Sequence, residues 1–187
     1  PRLARAVTEQ MAFLEMGTAE LEVCQERLDR AQWSSQGPSR VELMYRPAAG
    51  LTARPLRRIA SGGEASRVML ACKVVLGDAD GIDTLVFDEV DAGVGGATAV
   101  ALAQVLSHLA QSHQVIVVTH LAQVAVVGDR HYLVSKVGDA VPETTIEEIS
   151  GDERVEEVAR MLSGDQTQTS LDHAREMLAA AASQKIR

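Results

Sequence analysis

The segment Thr84-Leu-Val-Phe-Asp-Glu89 places two adjacent carboxylates directly after a short apolar run. Apolar runs of this kind are typical of buried strands in a parallel sheet, and open α/β sheets bind ligands where their strands end. A second apolar run, Gln114-Val-Ile-Val-Val-Thr119, ends in the same manner, and a helical pattern separates the two. Strands that alternate with helices predict an α/β fold with a largely parallel sheet flanked by helices.

The residues before this region predict an N-terminal helix and a β-hairpin. Apolar side chains recur at helical spacing through residues 2–15, at Leu3, Val7, Met11 and Leu14. Residues 19–23 and 41–45 instead alternate between apolar and mostly polar side chains, which predicts two strands of an antiparallel hairpin. We expect residues 47–55 to form a loop.

The residues after the second apolar run predict two more strands and a helical C-terminal part. The strands are expected at 131–136 and 144–149. A helical stripe follows and ends at Gly164, where a glycine suits a helix cap, and a second helix is expected over 171–182.

A further helix is predicted earlier in the chain, before the first apolar run. It extends from Glu64 to about Leu76.

The composition is that of a globular protein with an acidic surface. Of the 187 residues, 46% are hydrophobic and 3% aromatic, and the formal net charge is −8. A chain this acidic repels nucleic acid and anionic membranes, so any DNA contact requires a local patch or further parts of the protein. No apolar run has the length of a membrane span. Cys24 and Cys72 are far apart and form no CxxC pair, which excludes a disulfide framework and fits a reducing compartment.

The Asp88-Glu89 pair is the strongest local indication of chemistry. One carboxylate at the end of a buried strand can hold Mg²⁺ through water, while the next polarises an attacking water, as in the Walker B arrangement of nucleotide hydrolases. The alternative is that these acids simply begin a loop. The pentapeptide alone does not decide between the two.

The stretch Ser61-Gly-Gly-Glu64 precedes the helix predicted from Glu64. Ser-x-x-Glu is a capping box, in which the two side chains satisfy free backbone N–H groups. A functional interpretation uses the same groups differently, because two glycines let a phosphate approach the backbone at a helix N-terminus. In that interpretation Ser61, Gly62 and Gly63 form a phosphate cradle.

Two further candidates are His120 and Asp91. His120 follows the strand that ends at Thr119, and neighbouring parallel strands would open it onto the same crevice as Glu89. Asp91 begins a glycine-rich loop through Gly96. The simpler interpretations are that His120 is an ordinary loop residue and that Asp91 is a solvated acid in a flexible loop.

The sequence also contains a basic cluster of Arg54, Arg57 and Arg58. Its simplest interpretation is a solvated loop.

The order of these features along the chain resembles that of the ABC-type ATPases. In that family the serine-glycine-glycine-acid stretch is the signature motif, Asp88-Glu89 the Walker B motif, Asp91 the D-loop and His120 the switch histidine. Longer stretches are similar to the RecN family, the SMC-like ATPases of bacterial DNA double-strand-break repair. They are Ile59–Ala71, Phe87–Gly96, Gln114–Ala125 and Arg154–Gly164. Val90 stands where transporter ATPases usually have proline.

The resemblance implies ATP and Mg²⁺ as cofactors. Asp88 would position the Mg²⁺, and Glu89 would act as the general base or orient the attacking water. His120 would contact the γ-phosphate and sense its loss.

The signature residues are implied to act on a nucleotide held by the opposite subunit of a head dimer. Ser61, Gly62 and Gly63 would bind its γ-phosphate, Glu64 would support their loop, and Asp91 would couple the two sites. The implied function is the C-terminal ATPase-head lobe of a RecN-like repair protein in the bacterial cytoplasm, associated with the nucleoid.

The G-x-x-x-x-G-K-[ST] motif of a phosphate-binding loop does not occur in the sequence. The resemblance places that loop in an N-terminal lobe of the same protein, beyond a coiled coil. Residues 1–16 would then be the end of the coiled-coil arm or the next helix, and residues 17–187 the C-terminal lobe. The implied partners are this N-terminal lobe, a second copy bridged by ATP and, through the full-length protein, DNA.

The sequence also supports expectations about the isolated chain and two alternative interpretations. Since Pro1 is not methionine, we expect a fragment, and the isolated chain would lack ATPase activity without a P-loop. The alternatives are the corresponding lobe of another SMC-type ATPase, or a non-catalytic interaction module. A sheet without the strands of its other lobe would expose an apolar face and favour self-association.

Overall fold

The computed structural model describes residues 2–137 and 143–185. They form two compact units. The first, residues 2–94 and 109–118, contains α1 (Arg2–Phe13), β1 (Glu20–Arg27), β2 (Ser39–Arg46), β3 (Arg54–Pro55), α2 (Gly62–Leu76), β4 (Thr84–Phe87) and β5 (Gln114–Val117). The second unit begins with most of α3 (Gly96–Leu109) and continues with α4 (Ala122–Ala125), β6 (His131–Val137), β7 (Glu143–Ile149), α5 (Gly151–Ser163) and α6 (Gln168–Lys185).

The predicted hairpin is present as an antiparallel sheet in the first unit. β1 pairs with β2, and Leu21 lies opposite Tyr45 with both side chains buried. β3 adds a third strand, since Arg54 pairs with Tyr45 and Pro55 with Met44. The expectation of a continuous loop over residues 47–55 was therefore wrong at its end, where two residues continue the sheet.

The predicted N-terminal helix supplies much of the core of the first unit. α1 packs against α2 and β1. Val7, Met11 and Leu14 are fully or almost fully buried, whereas Leu3 at the start of the stripe is exposed. The stripe thus indicates a helix that is part of the packed unit. Its relation to a coiled-coil arm stays a prediction.

β4 and β5 form a parallel pair that presents one apolar face to solvent. Leu85 and Phe87 are buried, but the register partners Val86 and Ile116 are 64% and 48% exposed, and Val118 is 57% exposed. The apolar runs predicted strands buried on both faces. In the described chain only one face is covered, which agrees with the expectation of an exposed apolar face.

Parallel pairing is confined to β4 and β5 within the described residues. The mixed α/β class is confirmed, but β6 and β7 pair antiparallel in the second unit. Five residues separate these strands along the chain. A connection this short can join antiparallel strands, whereas a parallel pair needs a crossover of a dozen or more residues.

A helical cluster forms the core of the second unit. α4, α5 and α6 bury small apolar side chains against one another, including Ala122, Val158, Ala159, Ala174 and Ala181. Gly164 has φ of 77° and ends α5 in the left-handed conformation, as predicted. No described helix is long and apolar enough to cross a membrane.

Arg154 of α5 forms hydrogen bonds with backbone carbonyl groups at the end of α4. Its Nη2 donates hydrogen bonds to the carbonyl oxygens of Ala125, Val126 and Gly128 at 3.0, 3.3 and 2.8 Å. Burial lowers the pKa of Arg154, and the nearby Asp129 carboxylate opposes that shift. The guanidinium thus supplies a donor to carbonyl groups at and just after the end of α4, the region where a helix cannot provide all the donors itself.

We expect Arg154→Met to lower the free energy of unfolding by about 1–3 kcal/mol, because three partly buried carbonyl groups lose a donor. Urea denaturation monitored by circular dichroism measures this change. Arg175→Ala is the control, since Arg175 forms only an exposed pair with Asp172, and should change stability by less than about 0.5 kcal/mol. Equal losses in the two variants would contradict the assigned role.

The exposed face of β4 and β5 predicts self-association of the chain. Burying a large apolar side chain contributes about 1.5–3 kcal/mol, so Val86→Lys should raise the dissociation constant at least tenfold in sedimentation velocity. Val41→Lys, at a 61% exposed position of β2 that lies opposite the polar Gln25, is the matched control and should leave association unchanged. A monomeric parent chain at high concentration would contradict this prediction.

Candidate functional site

Ser61 caps the N-terminus of α2. Its backbone is extended, and its hydroxyl oxygen accepts a hydrogen bond from the backbone N–H of Glu64 at 3.3 Å. The capping interpretation of this stretch is therefore confirmed for the serine. Ser61 and Gly62 are nevertheless exposed, so both residues stay accessible to a ligand even though the serine caps the helix.

Gly62 and Gly63 lie against the segment that follows β4. A methyl group added to Gly63 would lie 2.8 Å from the Cβ of Ala92 and 3.1 Å from the carbonyl oxygen of Glu89. A methyl group on Gly62 would collide with the carboxylate of Glu89. The lack of side chains at these two glycines thus allows residues 61–63, the serine loop, to contact residues 88–92, the acidic segment.

Ser66 and Arg67 hold α2 to the same acidic segment. The Ser66 hydroxyl donates to the carbonyl oxygen of Asp88 at 2.8 Å. The Nη1 of Arg67 donates to the carbonyl oxygens of Val90 and Ala92 at 3.3 and 2.9 Å. Sequence reasoning did not single out either residue, although two adjacent polar residues in a largely apolar helix were a usable signal.

Asp88 and Glu89 are exposed directly after β4. Glu89 has φ of 56°, in the left-handed region that residues other than glycine rarely adopt. Such a conformation costs about 1–3 kcal/mol and is concentrated at functional sites. The turn is closed by a hydrogen bond from the Ala92 N–H to the Glu89 carbonyl oxygen at 3.0 Å.

Asp91 is buried, with 2% of its surface exposed. The simpler interpretation of this residue as a solvated loop acid was therefore wrong. Its neighbour Val90 is fully buried. The backbone carbonyl of Asp91 accepts from the N–H of Val94 at 3.0 Å, so a second turn follows the one at Glu89.

His120 lies in the second unit and is exposed. It follows Thr119, whose hydroxyl oxygen accepts from the N–H of Leu121 at 3.0 Å just before α4. Asp88, Glu89 and Asp91 belong to the first unit. The expectation that His120 and Glu89 share one crevice stays a prediction.

A cavity of about 410 Å³ lies beside Ser61 in the first unit. Its charged lining residues are Arg54, Arg58 and Glu64, and Tyr45 lies at its wall. Burial raises the pKa of Tyr45, and the Glu64 carboxylate adds to that increase while Arg67 opposes it. The cavity therefore adjoins the serine loop and contains more positive than negative charge.

The candidate residues suit a nucleotide-bound ion better than a metal centre built from the protein alone. Among the described residues, no group of three or more His, Cys, Asp or Glu side chains is placed to hold a metal. Mg²⁺ in phosphoryl-transfer sites is usually held by one or two carboxylates together with substrate phosphates. The exposed Asp88 fits that requirement.

A scan against models of known protein families found no match. Curated relatives are nevertheless similar. The DNA repair protein RecN of Streptomyces coelicolor is 42% identical over 192 residues, covering 96% of this chain and 34% of that protein. RecN of Deinococcus radiodurans is 51% identical over 150 residues, covering 80% of this chain and 26% of that protein.

Solved structures of Smc head domains share the fold. The Smc head domain with a coiled coil and joint from Pyrococcus yayanosii has a TM-score of 0.57 at 21% identity, over 96% of this chain and 29% of that one. An Smc head domain bound to the C-terminal domain of ScpA, from Pyrococcus furiosus, has a TM-score of 0.54 at 23% identity, over 79% and 34% of the two chains.

The similarity in sequence extends over most of this chain, while the chain spans about a third of the length of the curated relatives that it matches. The fold is that of an ABC/SMC-type head lobe. The chain therefore belongs to the family of RecN-like DNA repair proteins.

Proposed function

We propose that the chain is the C-terminal lobe of a RecN-like ATPase head, and that it contributes the signature motif, Walker B motif, D-loop and switch histidine to ATP hydrolysis in a head dimer. The hydrolysis would serve repair of DNA double-strand breaks and recombination by the full-length protein in the bacterial cytoplasm, in association with the nucleoid. The relatives named RecN support the repair role.

The observation that carries this proposal is the packing of Gly62 and Gly63 against the Glu89–Ala92 turn. A helix cap alone needs neither glycine, because Ser61 already supplies the capping oxygen. A glycine is needed at position 63, where an added methyl group would meet Ala92 and the Glu89 carbonyl oxygen, whereas Gly62 approaches only the movable carboxylate end of Glu89. A mere loop after β4 also has no need of the left-handed backbone of Glu89.

In the proposed site ATP supplies the phosphoryl bond to be broken. Asp88 holds the accompanying Mg²⁺, and the carboxylate of Glu89 orients the attacking water and accepts its proton. His120 is proposed to contact the γ-phosphate. The protein's share of the catalysis is then positioning and stabilisation of charge, which is the usual requirement of phosphoryl transfer.

The signature residues are proposed to act across the dimer. The exposed Ser61 hydroxyl and the backbone N–H groups of Gly62 and Gly63 bind the γ-phosphate of a nucleotide held by a second copy. Glu64 supports this loop from the first turn of α2. Asp91, buried one turn away, transmits the engagement of one site to the other.

The phosphate-binding loop is proposed to come from an N-terminal lobe, since the sequence contains no G-x-x-x-x-G-K-[ST] motif. The apolar face of β4 and β5 supports a partner of this kind, because Val86 and Ile116 would leave water on docking. The same face also favours a second candidate, an interaction module that docks on a partner and takes no part in hydrolysis.

Mixing the chain with an N-terminal lobe that carries the phosphate-binding loop separates the two candidates. We expect no ATP turnover from either part alone and turnover from the mixture, measured by phosphate release. Docking of the two parts without any turnover would favour the interaction module. Turnover by the chain alone would contradict a site shared between lobes.

We expect Glu89→Gln to reduce turnover by the mixed lobes at least a hundredfold, because the amide cannot accept the proton of the attacking water. Association of the heads in the presence of ATP should persist, since the amide keeps the shape of the side chain. Phosphate release and sedimentation velocity measure the two properties. Turnover close to that of the parent would remove Glu89 from the catalytic role.

We expect Gly63→Ala to reduce turnover at least tenfold and to lower the free energy of unfolding by about 1–3 kcal/mol. The added methyl group would be crowded against Ala92 and the Glu89 carbonyl, which forces the serine loop away from the acidic segment. Gly95→Ala is the matched control, because a methyl group there meets nothing within 4 Å. Equal effects in both variants would contradict the proposed contact.

A further inference from the structure

His120 lies two residues before α4, a helix of a single turn. Its imidazole is exposed, so burial of its own side chain does not fix where His120 lies. The nearest buried residues along the chain are Ala122 and Val124, both in α4. A helix of four residues is unstable in water by itself, because so few hydrogen bonds do not offset the cost of nucleation. The position of His120 therefore depends on the contacts that hold α4.

Hydrogen bonds connect the two chain neighbours of His120 to each other and to α4. The Leu121 N–H donates to the Thr119 hydroxyl oxygen at 3.0 Å. The Leu121 carbonyl oxygen in turn accepts from the N–H groups of Val124 and Ala125, both at 3.0 Å. Because His120 stands between Thr119 and Leu121, a displacement of α4 would move His120 with it.

Arg154 of α5 supplies a directional contact to the other end of α4. Its Nη2 donates to the carbonyl oxygens of Ala125, Val126 and Gly128. Hydrogen bonds from a charged donor are roughly twice as strong as those between neutral groups, and they depend on angle. Apolar packing has no such direction. The guanidinium therefore determines where α4 ends relative to α5, which burial of its apolar side chains does not determine.

We propose that Arg154 is a positioning residue for His120. By holding the end of α4, it sets the place from which His120 acts. Arg154, α4 and His120 all belong to the second unit, so this connection is internal to one compact unit. The role of His120 at the γ-phosphate rests on the proposed function, whereas the hold of Arg154 on the His120 segment does not.

The first test observes the chain alone by NMR, without nucleotide or a second lobe. We expect Arg154→Met to shift the ring resonance of His120, which is assigned by its loss in His120→Gln, because the end of α4 is released. The backbone N–H groups of Val124 and Ala125 should exchange with solvent at least tenfold faster, since their hydrogen bonds to Leu121 open more often. An unmoved resonance with unchanged exchange would overturn the proposal.

Arg154→Gln keeps the test decisive if the methionine variant does not fold. Glutamine retains a polar end group but has neither the charge nor the reach of the guanidinium. We expect the same shift of the His120 resonance and exchange of the α4 amides at least threefold faster than in the parent. A folded glutamine variant with parental values for both would overturn the proposal.

Two controls separate positioning from a general loss of stability or charge. Gly164→Ala destabilises α5 at its other end, because Gly164 has a left-handed φ of 77° that strains alanine. Arg130→Met removes an equal charge just after α4, but Arg130 pairs with Glu148 at 3.6 Å. Both controls should leave the His120 resonance in place and the exchange of the α4 amides within twofold of the parent. Effects equal to those of Arg154→Met would overturn the proposal.

The second test measures ATP turnover by the mixed lobes. We expect Arg154→Met to lower kcat at least tenfold and to leave the KM for ATP within threefold, because the phosphate-binding loop of the N-terminal lobe would still hold the nucleotide. In a His120→Ala background the same substitution should lower kcat by less than twofold, since the residue that Arg154 positions is already absent. Additive losses would overturn the proposal, because Arg154 would then act independently of His120.

The two tests separate failure of this inference from failure of the proposed function. A shifted His120 resonance in Arg154→Met, with no turnover by the parent mixture, would support the hold of Arg154 on the His120 segment and reject the shared ATPase. Turnover by the parent mixture, with an unchanged kcat for Arg154→Met, would support the ATPase and reject Arg154 as a positioning residue.

Discussion

The contact between the Gly63 backbone and the turn from Glu89 to Ala92 is the constraint on which the candidate site depends. Any side chain at Gly63 would occupy space that Ala92 and the Glu89 carbonyl already fill. Ser66 and Arg67 hold the contact from the next turn of α2 by bonding to backbone carbonyls of residues 88–92. The Ser61 loop and the Asp88-Glu89 pair are thereby held next to each other, as the proposed function requires.

The proposed head dimer explains why one apolar face of β4 and β5 is exposed. Strands as apolar as β4 and β5 are usually covered on both faces. The side chains of Val86 and Ile116 are nevertheless 64% and 48% exposed. In the proposed head, an N-terminal lobe that brings the phosphate-binding loop would cover this face. Burial of the apolar face and completion of the catalytic site would then be one event.

Periodic patterns predicted most of the regular elements, because alternation and helical stripes reflect which side chains must leave water. They located both strands of the hairpin, the parallel pair, and all helices but α4. Among the strands and α-helices of the described residues, two short elements were missed. β3 has two residues and α4 has four, and neither is long enough to display a period; each depends on neighbours, β3 on pairing with β2 and α4 on Arg154.

The sequence by itself determined the mixed α/β class, the order of the four proposed motifs and the residue types that the proposed phosphoryl transfer requires, because these depend on local pattern and side-chain chemistry. Only the tertiary structure decided that Asp91 is buried, that Ser66 and Arg67 bind the acidic segment, and that Arg54 and Arg58 face a cavity while Arg57 does not. Charge and spacing in the sequence are the same for an arginine on the sheet surface and for one that lines a cavity. The difference arises from which elements pack beside them.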